Sequence, residues 1–134
     1  MVEVIESYKR VAREPGFLDR FYTRFMDRDA DVRARFQGVD MARQRFVLSR
    51  AVTLLLQHAS GVTHGVDGLR ESAHHHGAEG MNIPAYMYDL WIDALVETVA
   101  EHDPRFTPDL DASWRTLLRR EVAWFLEMTR TPDH

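Results

Sequence analysis

"MARQRFVLSRAVTLLLQHAS", Met41 to Ser60, decides between a helical and a sheet architecture. Its apolar residues Met41, Leu48, Val52 and Leu55 recur at steps of seven, four and three. Those steps return to one side of a helix of 3.6 residues per turn, whereas a half-buried strand alternates with period two. The stretch therefore reads as one long amphipathic helix with Leu48, Val52 and Leu55 turned inward.

The same spacing extends outward in both directions, with glycine and proline as punctuation. Toward the N-terminus, a segment from about Gly16 to Arg28 carries Phe17, Leu18, Phe21, Phe25 and Met26 at helical intervals. Before it, Val2 to Glu14 forms another segment that stops at Pro15-Gly16. "DRDADVRARFQGVD" between them and Met41 is polar and turn-rich, with Val32 and Phe36 as apolar anchors. Toward the C-terminus, "GVTHGVDG" breaks the long helix, and a short helix is expected from about Val66 to Gly77. Asn82 and Pro84 open a further segment to about Glu101, and "HDPRFTPD" closes it. The last segment, from about Pro108 to Met128, holds Leu110, Trp114, Leu117, Leu118, Val122, Phe125 and Leu126. Nothing reads as a strand, so the fold class is all-α.

Composition narrows the function. A chain of 134 residues suits one domain, residues 1–134, with one core. The net charge of -4 gives no argument for a nucleic-acid partner. No apolar run approaches the roughly 20 residues that span a bilayer, and the acidic start "MVEVIESYKR" does not read as a signal peptide. A cytoplasmic location without a membrane partner is the expectation. Without cysteine there is no thiolate metal site and no cysteine nucleophile. The tryptophans Trp91, Trp114 and Trp124 read as packing anchors, and charge clusters such as "LRRE" read as solvated faces.

One short stretch, "LRESAHHHGAEGMNIPAYMYDLW" from Leu69 to Trp91, raises a metal question through His74, His75 and His76. On a helix, successive side chains turn by about 100°, so the three rings point apart and do not converge on one ion. Measured from Leu69, Ala73 lies about 40° away and His76 about 20° away, while His74 and His75 fall about 140° and 120° off. His76 alone continues the apolar stripe. Spacing leaves it open between an ordinary core histidine and a metal ligand.

These landmarks, taken in order, resemble bacterial single-domain globins and the haem domain of flavohaemoglobins. The resemblance covers nearly the whole chain. The proximal pattern of that family is a histidine, then a glycine and an apolar residue, then a tyrosine ten places after the histidine. His76, Gly80, Met81 and Tyr86 match it. In "RFYTRF", Tyr22 corresponds to the family's distal tyrosine, and Phe36, fourteen residues on, to the phenylalanine that wedges against the haem. "QRFVL" supplies Gln44 and Leu48 at the distal helix. This match shortens the loop between Phe36 and Gln44 by about two residues. An ungapped match would put Phe46 at the distal position and bury Arg50, an unpaired charge at high cost.

The resemblance implies a globin-like, three-over-three helical fold enclosing one haem b (iron protoporphyrin IX). It implies His76 as the iron's ligand and a cofactor pocket of His76, Phe36, Tyr22, Gln44, Leu48, Met81 and Tyr86. Without a Cys-x-x-Cys-His motif the haem would be held noncovalently. The implied ligands are oxygen, nitric oxide or carbon monoxide, bound reversibly for storage, transport or sensing. A competing implication is an enzyme, a nitric oxide dioxygenase or a peroxidase, dependent on a separate reductase; a homodimer is also open. The family's proximal tyrosine pairs with a glutamate fifteen residues after the last helix's tryptophan. That count from Trp114 reaches Thr129, with Glu127 two positions short, so the carboxylate push of a peroxidase is not in its expected place.

Overall fold

In the computed structural model of the chain, residues 2–61 and 84–130 are described, the last two for their backbone only. They form six helices: α1 (Val2–Ala12), α2 (Phe17–Asp27), α3 (Ala30–Arg35), α4 (Met41–Ala59), α5 (Ala85–His102) and α6 (Pro108–Arg130). No strand occurs among the described residues, as the periodicity requires. The expected short helix at residues 66–77, with His74, His75 and His76, lies outside them, as does Met81.

Buried positions follow the apolar spacing. α1 turns Val4, Tyr8 and Val11 inward, and α2 turns Phe17, Phe21, Tyr22 and Phe25. Gly16 joins the two helices with φ +83, a left-handed conformation in which a Cβ is strained. α5 is the central element. Ala94, Leu95 and Val96 are buried in succession, so this part of the helix is enclosed on several sides rather than along one stripe. It packs on α1, α2 and α6, while α4 contacts α2 and α6. Trp114 of α6 is fully buried among these helices.

α3 is a helix that apolar periodicity does not announce. Asp29 makes it, because its carboxylate accepts hydrogen bonds from the backbone N–H groups of Asp31 and Val32 at 2.8 and 3.1 Å. Asp40 caps α4 in the same way through Ala42 and Arg43. These two caps set the turn that carries Phe36 between α2 and α4.

Polar groups join the packed helices. Asp103, just after α5, accepts hydrogen bonds from Ser7 at 2.7 Å and from Arg10 at 2.7 and 2.9 Å. The Trp114 indole N–H donates to the Ser7 hydroxyl oxygen at 3.0 Å, so α1, α5 and α6 share one network. Arg10 beside Asp103 holds that carboxyl at about 2, well below its ordinary value. One charge cluster departs from the expected solvated face. Within "LRRE", Arg119 and Arg120 are exposed, but Glu121 is buried and meets His58 Nδ1 at 2.8 Å. Glu121 belongs to the inner side of α6 because Leu117 and Leu118 precede it by one turn.

Candidate functional site

The described part of the candidate site lies where α2, the α3 turn and α4 meet. Tyr22 projects from α2 and is 4% exposed. Its ring meets the Phe36 ring edge-on, with centroids 5.4 Å apart, and Phe25 meets Phe36 at 6.1 Å. Phe36 itself is the C-cap of α3, so the Asp29 cap at the other end of that helix governs where this ring sits. From α4, Leu48 and Val52 are buried in the same core. Four of the expected pocket residues, Tyr22, Phe36, Gln44 and Leu48, are thus brought together.

α4 turns Leu48 rather than Phe46 or Arg50 toward the core. Leu48 is 4% exposed, Phe46 is 69% exposed, and Arg50 lies at the surface. Burying Leu48 removes apolar area from water and leaves the Arg50 guanidinium hydrated, which is the cheaper arrangement.

Tyr22 is chemically distinct from the carbon surface around it. Its hydroxyl donates to the backbone carbonyl of Gln44 at 3.1 Å. Burial pushes the phenol up to about 12, with Gln44 as a hydrogen-bond partner pulling the other way. At neutral pH this oxygen keeps its proton and acts as a donor. The donor is already engaged, however, and a second acceptor has to win it from the Gln44 carbonyl. Gln44 is half-buried, at the first turns of α4.

Tyr86 departs from its expected place in the pocket. It is 44% exposed at the start of α5, and its hydroxyl comes within a long 3.4 Å of the Asp29 carboxylate. Asp89, Asp93 and Glu97 follow it at three, seven and eleven residues, so Tyr86 heads an outer, acidic side of α5 on which Asp93 pairs with Arg115 and Glu97 with Arg28. The inward tyrosine of this helix is Tyr88. Its ring is 6.5 Å from that of Phe125, and it packs against the cluster of Leu55 and Phe125. Burial raises the Tyr88 phenol, with the charge of Arg35 lowering it in part. The sequence signal was present: Tyr88, Trp91, Ile92 and Leu95 make the apolar stripe that Tyr86 lies off.

Among the described residues no group of three or more His, Cys, Asp or Glu side chains could hold a metal ion. Of the expected site, His76 and Met81 fall outside those residues. Glu127 is exposed on α6, and the side chain at position 129 is likewise outside.

With this geometry, the chain is similar to a Pseudomonas aeruginosa protein whose crystal structure is described as structurally highly homologous to a human hemoglobin. The two are 31% identical over 96% of each chain and superpose with a TM-score of 0.87. The chain belongs to the family of that protein and has its globin-like, all-α fold. No protein-family model and no curated protein matches the chain.

Proposed function

We propose that the protein is a haem-binding globin that reversibly takes oxygen or another diatomic gas. The observation that carries this reading is the joining of Tyr22, Phe36 and Leu48 from three separate elements, one engaged hydroxyl donor against an aromatic and aliphatic wall. That set suits an iron porphyrin: carbon surface that would hold a flat macrocycle, and a neutral proton donor among it. Haem b, when bound, supplies the iron centre at which a gas ligates. His76 would ligate the iron through one ring nitrogen, and Met81, Phe36 and Leu48 would help to hold the macrocycle.

The chain's own residues have definite tasks in this reading. Phe25, Phe36, Leu48 and Val52 exclude water, which strengthens any hydrogen bond made among them. Tyr22 holds a proton on Oη across the neutral range. Releasing it from the Gln44 carbonyl costs about 1 kcal/mol, the net worth of an ordinary hydrogen bond. A partly charged acceptor repays that with about 1.5–3 kcal/mol. Membership of a family that includes a hemoglobin-like protein supports the same reading.

Absorption spectra of the purified protein, ferric and ferrous, with and without carbon monoxide, test it. A Soret band that shifts with carbon monoxide at one haem per chain is the expected result. His76→Ala should then lose most of the haem, while His74→Ala and His75→Ala keep it. A wild-type protein that takes up no haem after reconstitution with hemin overturns the reading. Full haem occupancy in His76→Ala overturns the ligand assignment alone.

A further inference from the structure

The outer face of α4 carries a pattern that the candidate site leaves unused. Phe46 is 69% exposed and Val47 43%. Arg43 precedes Phe46 by three residues and Arg50 follows it by four, so all three lie on one side of the helix. Both arginines are exposed, and among the described residues neither guanidinium has an ion-pair or hydrogen-bond partner. The adjacent Arg45 differs, because it is paired with Asp19 at 2.9 Å. The nearest acid in the stripe, Asp40, turns an oxygen onto the backbone N–H groups of Ala42 and Arg43. An aromatic ring in water between two unpaired cations, on a chain of net charge -4, is a local reversal of the molecule's charge.

We infer that the Arg43–Phe46–Arg50 face of α4 is a docking surface for an acidic face of another protein, with Phe46 as its apolar anchor. Aromatic and arginine side chains are the residue types that dominate protein interfaces. Charge complementarity selects the occupant. A second copy using the same face would bring Arg43 against Arg50 in an antiparallel pairing, like charge against like. An anionic membrane recruits clusters of about four to eight cations, and this stripe has two on an acidic molecule. A partner presenting two carboxylates about one helical heptad apart, around an apolar contact, meets all three side chains. The inner face of the same helix carries Leu48, with Gln44 half-buried one turn before it, so such a partner sits one helix diameter, about 10 Å, from the candidate site. The inference itself does not depend on a cofactor.

The probe is a fluorescein-labelled synthetic helical peptide with two glutamates seven residues apart and a leucine between them on the same face. Its binding to the full chain is followed by fluorescence anisotropy at about 50 mM and 300 mM salt, spanning the range over which exposed charges become screened. Binding is expected to weaken with salt and to fall at least tenfold in Arg43→Glu/Arg50→Glu and in Phe46→Ala. The doubly reversed variant should instead bind the matching peptide with lysines in place of the glutamates. These side chains are exposed, so the variants should keep wild-type circular dichroism and melting. Unchanged binding in either variant overturns the inference. So does retention of the protein on phosphatidylglycerol vesicles with no peptide binding, which assigns the face to a membrane. A dimer in sedimentation that Phe46→Ala dissolves assigns it to a second copy and overturns it equally.

Discussion

Tyr22 places one ionisable oxygen among buried rings. Its phenol is pushed up to about 12 because ionising it would bury a charge among rings. An unfolded tyrosine titrates near 10. The folded form is therefore favoured by Tyr22 below pH 10, and that contribution is lost as pH rises from 10 through 12. Tyr22→Phe should flatten the fall of stability over that window and remove the last phenol to ionise at 295 nm. An unchanged alkaline titration means that another tyrosine is the one protected. At neutral pH the same change should cost about 1 kcal/mol through the lost bond to Gln44. For the proposed gas-binding activity, the donor's competing bond to that carbonyl limits its effect on a ligand. Tyr22→Phe should raise the oxygen dissociation rate roughly threefold to tenfold, a net of about 1 kcal/mol. Stopped-flow displacement of oxygen by carbon monoxide measures it, and a wild-type rate removes Tyr22 from the ligand's surroundings.

At the scale of elements, two carboxylates with different tasks decide how helices meet. Asp29 satisfies two otherwise unpaired N–H groups at the start of α3, and α3 ends on Phe36. Asp29→Ala should cost about 1 kcal/mol in urea unfolding and should loosen Phe36 from Tyr22 and Phe25. Glu121 ties the end of α4 to α6 through His58, whose ring also stacks on Trp124 with centroids 3.8 Å apart. The carboxylate is buried and the imidazole partly open to water. Replacing Glu121 with Ala leaves His58 to be hydrated and opens a small cavity, for a loss of about 1–3 kcal/mol. Trp124 fluorescence should change in the same variant, since its stacking partner loses its tether. A melting temperature and emission spectrum equal to wild type contradict a clamp at this position.

At the scale of the whole molecule, Asp103 gathers residues far apart in the chain: Ser7, Arg10 and, through Ser7, Trp114. Its carboxyl side chain is fully buried, and Arg10 lowers it to about 2 from 3.8. Because the folded value lies below the unfolded one, this stabilisation is present above pH 3.8 and is lost as pH falls toward 2. The shift corresponds to about 2 kcal/mol. Asp103→Asn should therefore lower stability at neutral pH by about that amount and flatten the acid limb between pH 4 and 2. Equilibrium unfolding as a function of pH checks the sign, and a variant with the wild-type acid limb shows that other carboxylates control it. Ser7→Ala combined with Asp103→Asn should be non-additive, because the two side chains share one network.

Residue spacing, with glycine and proline as punctuation, determined the all-α class, five helical segments whose ends the structure moves by a few residues, and the apolar residues of the segments at Gly16–Arg28, Met41–Ser60 and Pro108–Met128. It did so because burial of apolar area repeats with the helical period, and that period is written locally. It also determined that Leu48 rather than Arg50 faces the core, since an unpaired buried charge is too costly. What crosses between helices was decided only by the tertiary structure. The spacing around Tyr22 does not record that its hydroxyl meets the Gln44 carbonyl, 22 residues away. Glu121 reads as a surface acid until His58, 63 residues away, comes to meet it. Tyr86 matches a spacing, yet the acidic side of α5 carries it to water and leaves Tyr88 inside. A side chain's direction on its own helix is local information, whereas its hydrogen-bond partner comes from a helix whose docking angle no local pattern records.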